Sequence, residues 1–227
     1  MIPTTKFTAA LCGLVLVTAA ILPATAATAV PVEATHSAAS PEALAAAKPV
    51  PLLGYSTQTV KTLNIDFQYQ QTGYWCGPAA TRIALSARIA PPSQQQLANE
   101  LPTTTNGTDW IGQVTRVLNN HLGTGWYETK EMPNDPPTQA QRDLLWRDVV
   151  LDIDNNYPIV ANIVAPASNH PPGYPNYTIY HYFTVIGYDD SDRTVLIANP
   201  AGFAPTATYW LTFNQLATLI PPKGYSA

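Results

Sequence analysis

The stretch Tyr74-Trp75-Cys76-Gly77-Pro78-Ala79-Ala80 decides the fold of this 227-residue chain. Proline fits the first turn of a helix, because the backbone N–H that it lacks has no partner there. The stretch therefore predicts a helix that begins at Cys76 and runs to Ala87, before Ala90-Pro91-Pro92 ends it. We expect the helix N-terminus and a nearby histidine to lower the pKa of the Cys76 thiol and make it a nucleophile. A buried, inert cysteine is the alternative interpretation.

The first 26 residues have the pattern of a secretory signal peptide. Lys6 gives a positive start, Phe7 to Leu22 is apolar, and Ala24-Thr25-Ala26 is a small-x-small cleavage pattern. The apolar stretch is short for a membrane span, so we expect a secreted, extracellular protein with no stable membrane insertion after cleavage. Cleavage removes Cys12 and leaves Cys76 as the only cysteine. Because a lone thiol is easily oxidised outside the cell, Cys76 is either buried or kept for its chemistry.

The remaining chain divides into a tether and one domain. Residues 27–59 are rich in Ala and Pro, which predicts a tether or propeptide, and residues 60–227 are then the folded domain. The net charge is −4, charged residues are 11%, and no run of Lys or Arg occurs, which excludes nucleic-acid binding. Neither metal-ligand spacing nor a glycine-rich phosphate loop is found, so we expect no metal and no cofactor. We expect a monomer.

Capping signals and apolar runs place helices in the first half of the domain and strands in the second. After the helix at Cys76, the predicted helices are Ser93 (capping box with Gln96) to Leu101, Thr108 or Asp109 to Gly123, and Thr138 (capping box with Gln141) to Ile153. The predicted strands are Ile159–Val164, His181–Tyr188, Thr194–Asn199 and Tyr209–Leu211. This order predicts an α+β domain, with N-terminal helices packed on a C-terminal antiparallel sheet.

His181 is the candidate general base, because it opens an apolar strand and its side chain is expected to point into a cleft. A core histidine is the alternative. If the hairpin turn lies at 190–191, paired residues sum to about 381, which puts His181 opposite Asn199 or Pro200. Asn199 is then expected to accept a hydrogen bond from His181 and to fix its tautomer and ring orientation. A turn-forming Asn before Pro200 is the alternative for that residue.

The chain resembles a known family at three motifs. They are the stretch from Tyr74 to Ala80, His181-Tyr182-Phe183-Thr184-Val185-Ile186-Gly187-Tyr188-Asp189, and Ile197-Ala198-Asn199-Pro200. Together with Gln70, these motifs resemble the bacteriocin-processing (double-glycine leader) peptidases, a bacterial branch of the papain-like cysteine peptidases, and in particular its stand-alone secreted members. The resemblance covers about Ile65 to Gly202 and implies a papain-like fold.

The resemblance implies roles for four residues. Cys76 would be the nucleophile, His181 the base, and Gln70, six residues before the cysteine, the side-chain donor to the oxyanion. Gln68 and Gln71 lie close by, so only the offset selects Gln70. The family usually has Asp where this chain has Asn199, although papain itself uses Asn. Stabilisation of the imidazolium is therefore expected to be weaker here.

The expected function is that of a secreted thiol hydrolase that cleaves a peptide or amide bond through an acyl-thioester on Cys76. Its partner is then a peptide or protein substrate. The expected substrate contacts are Trp75, Gly77, Trp126, His170 and Tyr180, the last two in an aromatic-rich loop from Asn169 to Tyr180. Two alternatives remain open. One is a non-catalytic peptide-binding module of the same fold, and the other is an acyl or amine transferase.

Overall fold

A seven-stranded antiparallel sheet organises residues 60–227, the part of the chain that this computed structural model describes. The strands are β1 Val60–Thr62, β2 Thr129–Glu131, β3 Ile159–Ala165, β4 Ile179–Asp189, β5 Thr194–Ala198, β6 Thr208–Thr212 and β7 Gly224–Ser226. The helices in this part are α1 Cys76–Ser86, α2 Gln94–Glu100, α3 Ile111–Leu122, α4 Gln139–Asp154 and α5 Phe213–Leu219. The predicted signal peptide and tether lie outside the described residues.

The long strand β4 is the centre of the sheet. The strand order is β2-β7-β3-β4-β5-β6, and β1 pairs with β4 as well. The ladder with β3 covers Ile179 to Val185, and β1 pairs with Gly187–Asp189. The three strands that the sequence did not predict, β1, β2 and β7, have three residues each, too few to show a period of two.

Helices cover both faces of the central strands. One apolar cluster joins α4 and α5 to Phe183 and Ala161, and a second joins α1, α2 and α3 to Tyr182 and Val160. Successive side chains of a strand point to opposite faces, so these pairs on β4 and β3 lie in different clusters. Burial on both faces explains why β3 and β4 read as continuous apolar runs.

The predicted helix boundaries hold except at one N-terminus. Helix α1 begins at Cys76, and α4 has both hydrogen bonds of the Thr138 capping box. The prediction that Thr108 or Asp109 caps α3 is wrong, because the N-cap is Trp110, whose backbone N–H donates to the Gln113 side chain. The Thr108 hydroxyl instead bonds that of Thr103 at 2.7 Å.

Two smaller features complete the comparison. Ser93 accepts the backbone N–H of Gln96, but the Gln96 side chain donates to Glu100, so only half of that capping box forms. Gly123 ends α3 with a φ of 60°, the left-handed conformation that glycine adopts without strain. Within residues 60–227 no helix combines the length and the hydropathy that a membrane crossing requires.

Candidate active site

Cys76 is the first residue of α1 and lies against the central strand. Its side chain is buried, and the backbone N–H groups of Tyr182, Gly77 and Cys76 itself interact with the sulfur. Thr184 Oγ1 donates to Ala80 O at 2.9 Å and so fixes α1 on β4. Because Tyr182 follows His181 directly in β4, the thiol lies one residue from the strand position that carries the histidine.

Gly77 is required for close packing at the start of α1. A Cβ on Gly77 would lie 2.2 Å from Thr108 Oγ1 and 2.7 Å from Thr108 Cβ. No side chain fits in that space, so glycine lets the loop before α3 approach the helix that carries Cys76. Gly77 therefore allows Thr108, a residue that lines the cavity with Cys76, to pack against the start of α1.

His181 is held by Asn199. The distance between His181 Nε2 and Asn199 Oδ1 is 2.8 Å, and both side chains are buried. The backbone N–H of Ala201, which can only donate, bonds the same Oδ1 at 3.0 Å and so identifies that atom as the amide oxygen. An oxygen acceptor requires that Nε2 carry the proton. The remaining nitrogen, Nδ1, is then the proton acceptor of the ring.

Two tyrosines fix the other side of the Asn199 amide. Asn199 Nδ2 donates to the hydroxyl of Tyr174 at 3.0 Å and to that of Tyr209 at 3.1 Å. The Tyr174 ring also meets the His181 ring edge-on, with centroids 6.1 Å apart. These contacts complete the hydrogen bonds of a buried amide and leave it one orientation.

The hairpin register differs by one from the predicted value near the site. Thr184 pairs with Ala198 and Val185 with Ile197, so paired residues sum to 382, and an irregularity follows between Val185 and Gly187. Strand β5 ends at Ala198, so Asn199 reaches His181 from just beyond the ladder. On the turn side of the irregularity Gly187 pairs with Leu196, and the sum there is 383. The irregularity therefore brings the register one residue closer to the predicted value, and sequence arithmetic could not place it.

Burial sets the charge states of the pair. Burial raises the pKa of the Cys76 thiol, although three backbone N–H groups act to lower it. Burial also lowers the pKa of His181 to about 4, against the hydrogen bond to Asn199, which raises it. The expectation of a thiol pKa below its ordinary value is therefore wrong, although the backbone N–H groups at the helix N-terminus do act in the expected direction. Loss of hydration destabilises the thiolate by more than the hydrogen bonds at the helix terminus stabilise it, and it also destabilises the imidazolium. Both groups are therefore neutral near pH 7.

The pKa of His181 gives a prediction for stability. Between pH 6.5 and 4 the unfolded chain binds a proton at this residue and the folded chain does not, so stability falls as the pH falls. At about 1.4 kcal/mol per pH unit, the loss is about 3 kcal/mol. We expect urea unfolding to show this loss in the wild type and a flatter dependence in His181→Asn.

The His181→Asn comparison also removes a contribution of opposite sign. Burial raises the pKa of Asp152 to about 6, so the folded chain gains stability at this residue as the pH falls. Both proteins contain Asp152, and its effect cancels in the difference. Equal pH dependence in the two proteins would show that His181 titrates normally in the folded chain.

Cys76 and His181 line one cavity of about 170 Å³. Of the predicted substrate contacts, Tyr180 also lines it, with a side chain 69% exposed. The remaining lining residues were not predicted: Asn106, Gly107, Thr108, Asp109, Asn162, Tyr182 and Lys223. Asn162 did carry a signal in the sequence, because it is the polar residue inside the apolar run of β3.

The other predicted substrate contacts lie away from this cavity. Trp126 lines a separate cavity of about 400 Å³, where its Nε1 donates to Asp152 at 2.7 Å and its ring stacks on Tyr157 at 4.5 Å. His170 stacks on Tyr174 with centroids 6.4 Å apart, one layer behind Asn199. Trp75 is the N-cap of α1, and neither it nor Gly77 lines the cavity.

Gln70 lies beside the Asn199 segment. Its backbone N–H donates to Pro200 O at 2.9 Å, and its side-chain Nε2 donates to Thr72 O at 2.9 Å. Gln70 Oε1 is buried without a hydrogen-bond partner. The side chain does not line the cavity with Cys76 and His181, so the structure gives no oxyanion contact directly. The bond to Thr72 uses one of the two amide hydrogens and leaves the other free.

Gln94 holds the loop that carries Gln70, which the sequence did not indicate. The Gln94 side chain is fully buried. Its Oε1 accepts the backbone N–H of Gln71 at 3.0 Å, and its Nε2 donates to Tyr69 O at 2.8 Å. A glutamine in a polar Gln-rich segment gives no hint of such burial, because the loop that covers it is 23 residues away in sequence.

Gln94→Ala is expected to destabilise the domain by about 1–3 kcal/mol, because it removes the hydrogen bonds of two part-buried backbone groups, Gln71 N–H and Tyr69 O. Urea unfolding at pH 7 measures the change. The matched control is Gln95→Ala, since Gln95 is exposed and bonds only Asn99 within α2. A loss no larger than that of the control would show that the Gln71 and Tyr69 contacts add nothing to stability.

A model of the Peptidase_C39 like family matches residues 62–218, and no curated protein matches the sequence. Within residues 60–227 no group of three or more His, Cys, Asp or Glu side chains is arranged to hold a metal ion.

Three solved structures are similar at low identity. The peptidase domain of Streptococcus ComA, a bi-functional ABC transporter involved in quorum sensing, is 17% identical, with a TM-score of 0.47 over 72% of this chain and 98% of that one. A double glycine motif protease from an AMS/PCAT transporter, in complex with the leader peptide, is 10% identical, with a TM-score of 0.45 over 73% and 91%. Xylellain, a cysteine protease from Xylella fastidiosa, is 13% identical, with a TM-score of 0.40 over 74% and 85%.

Proposed function

The chain belongs to the Peptidase_C39 like family and is a cysteine peptidase, and we propose that it cleaves a peptide or amide bond through an acyl-thioester on Cys76. The family confirms the resemblance and the papain-like α+β fold expected from the sequence. The observation that carries the proposal is the contact between His181 Nε2 and Asn199 Oδ1, because it leaves Nδ1 as the proton acceptor of a ring that lines the same cavity as Cys76.

The charge states favour proton transfer during attack over a preformed ion pair. The thiol gives its proton to His181 Nδ1 as Sγ bonds the substrate carbonyl carbon. The imidazolium then gives that proton to the leaving amine, and the thioester forms. Water attacks the thioester with His181 again as the base, which releases the acid and restores the thiol.

The developing oxyanion needs hydrogen-bond donors. The backbone N–H of Cys76 at the start of α1 is one candidate, because the helical bonding pattern begins only with Ala79 N–H to Trp75 O. The second is the free N–H of the Gln70 side chain. For this N–H to reach the oxyanion, the Gln70 amide must turn away from Thr72 O towards the substrate, while the backbone bond from Gln70 N–H to Pro200 O is kept.

Gln70→Ala is expected to lower kcat by about 10²-fold, with little change in KM, because an oxyanion donor acts in the transition state alone. The control is Gln71→Ala. The Gln71 side chain is exposed, and only its backbone N–H is bound, by Gln94. If Gln71→Ala lowered kcat as much as Gln70→Ala, or if Gln70→Ala raised KM alone, Gln70 would not be the donor.

The activity itself is tested with a mixture of many peptides, incubated with the wild type or with Cys76→Ala and read by mass spectrometry for new termini. We expect new termini only with the wild type. If no new terminus depends on Cys76, the protein does not cleave peptides through Cys76. The alternative of a non-catalytic peptide-binding module would then replace the peptidase proposal.

The location of the protein is part of the proposal. The signal-peptide pattern in residues 1–26 supports a secreted peptidase, and the Ala/Pro-rich composition of residues 27–59 supports a tether or propeptide. N-terminal sequencing of protein recovered from the culture medium of an expressing bacterium tests both. Recovery only inside the cell, with Met1 intact, would contradict secretion.

A further inference from the structure

A second cavity adjoins the one that contains Cys76 and shares three of its lining residues. Asp109, Asn162 and Lys223 line both the cavity that contains Cys76 and a neighbouring cavity of about 250 Å³. The second cavity is also lined by Trp110, Ile111, Glu131, Pro133, Pro222 and Gly224. A substrate bound at Cys76 therefore has space to extend past Asn162 over these residues.

Asn162 presents an unused acceptor where the cavities meet. Asn162 is only 5% exposed to solvent, and its Nδ2 donates a hydrogen bond to the Tyr182 hydroxyl at 2.9 Å. No hydrogen bond to Asn162 Oδ1 is formed within the described part of the chain. Because Asn162 lines both cavities, its amide oxygen is available to accept an N–H from a bound ligand.

Trp110 forms a fixed aromatic wall of the second cavity. Its side chain is 52% exposed, yet it is held at two points. The indole Nε1 donates to Glu131 Oε1 at 3.2 Å, and the ring lies over Gly112, where a Cβ would be 2.2 Å from the Trp110 ring. An exposed indole held beside a carboxylate is suited to a cation, which can stack on the ring and pair with the acid.

The charges of the second cavity have the matching sign. Asp109 and Glu131 form no ion pair with any cation among residues 60–227. Lys223 is the one cation that lines this cavity, and its Nζ is 5.9 Å from the ring centroid of Tyr180, a residue of the catalytic cavity only. Two acidic residues and one lysine therefore line the cavity that Trp110 borders, and its lining carries a net charge of −1.

We propose that the second cavity binds the basic side chain, arginine or lysine, of a peptide substrate whose scissile bond lies at Cys76. The guanidinium or ammonium group pairs with Glu131 and Asp109 and stacks on Trp110, and Asn162 Oδ1 accepts a backbone N–H of the same peptide. The inference rests on the proposed peptidase function, to which it adds the substrate class.

The first test measures binding without turnover. N-acetyl-arginine amide and its neutral isostere N-acetyl-citrulline amide are titrated into the Cys76→Ala protein, and the indole N–H resonance of Trp110 is followed by NMR. Trp110→Phe assigns this resonance among the five tryptophans. We expect a saturable shift with the arginine derivative, at least tenfold weaker binding of the citrulline derivative, and about tenfold weaker arginine binding in Glu131→Gln.

The control is Glu128→Gln, on the same edge of the sheet, whose carboxylate pairs with Lys130 and lines the Trp126 cavity. It should leave arginine binding unchanged. An equal response to both derivatives, no response to either, or equal binding in Glu131→Gln and the parent protein would overturn the basic subsite.

The second test separates the subsite from the catalytic proposal. In the peptide mixture, cleavage sites are scored for Arg or Lys within four residues of the new terminus, with the wild type and with Glu131→Gln. We expect enrichment that falls about tenfold in the variant. Cleavage that depends on Cys76 without any basic preference would overturn the subsite and leave the peptidase standing. Cleavage that survives Cys76→Ala would instead remove the catalytic proposal.

Discussion

Cys76→Ala is expected to lower kcat by about 10⁶-fold and to leave the domain folded. Removing the nucleophile of a covalent mechanism costs about that factor, because the remaining groups cannot form the acyl intermediate. Folding should persist, since the chain has no second cysteine within residues 60–227 with which Cys76 could pair. Loss of the sulfur removes a small buried volume beside Tyr182 and adds no polar group. Circular dichroism and steady-state kinetics on one cleaved peptide measure the two effects.

The matched variant for this result is Cys76→Ser, which keeps the shape of the side chain. A hydroxyl is a far weaker acid than a thiol, and burial already raises the pKa of the Cys76 thiol, so serine should not replace it. Both variants should therefore be inactive and folded. If either kept more than a few per cent of the wild-type rate, the bond-breaking step would not pass through Sγ.

Asn199→Ala is expected to lower kcat by about 10³-fold or more. The substitution removes the acceptor that keeps the proton on His181 Nε2, and the ring loses both its tautomer and its orientation. The matched control is Tyr209→Phe, which removes one partner of the Asn199 amide but leaves the bonds to His181, Ala201 and Tyr174 in place. Similar losses in both variants would show that packing around the amide, and not its oxygen, sets the rate.

Asn199→Asp separates orientation from charge. A carboxylate can accept the bonds from His181 and Ala201 on one oxygen. The bonds to Tyr174 and Tyr209 reverse their direction, because each hydroxyl can turn its proton towards the second carboxylate oxygen, so the geometry survives. Its charge favours the imidazolium and raises the pKa of His181 above the value of about 4 that burial gives it in the wild type. Because the base must be neutral to accept the thiol proton, the acid limb of kcat/KM should move from near pH 4 to a higher pH. An acid limb at the same pH in both proteins would show that residue 199 does not act on His181.

Local patterns predicted the parts of the site that depend on neighbours in sequence. The start of α1 at Cys76 follows from the Gly77-Pro78 pair. The meeting of His181 and Asn199 follows from one hairpin, in which a turn of four residues, 190–193, joins strands of known length. Both inferences need only contacts across fewer than twenty residues, and the structure contains both.

Parts of the site that depend on distant segments could not be predicted in this way. Gln94 supports the Gln70 loop from another helix, and Asn162 and Lys223 reach the cavity from two further elements. Trp126 was expected near the substrate as an aromatic residue, yet Asp152 and Tyr157 hold it elsewhere. The direction of the Cys76 pKa shift also depends on burial, which the packing of α1 on β4 decides.

The most direct test of the mechanism is the intact mass of the protein after rapid acid quenching during turnover of a cleaved peptide. Acid preserves thioesters, so the acyl intermediate remains attached. We expect the wild type to gain the mass of the acyl portion of the peptide, located on Cys76 by digestion, and the Cys76→Ala protein to gain none. Continued hydrolysis with the adduct on another residue, or the same adduct on Cys76→Ala, would contradict covalent catalysis by Cys76.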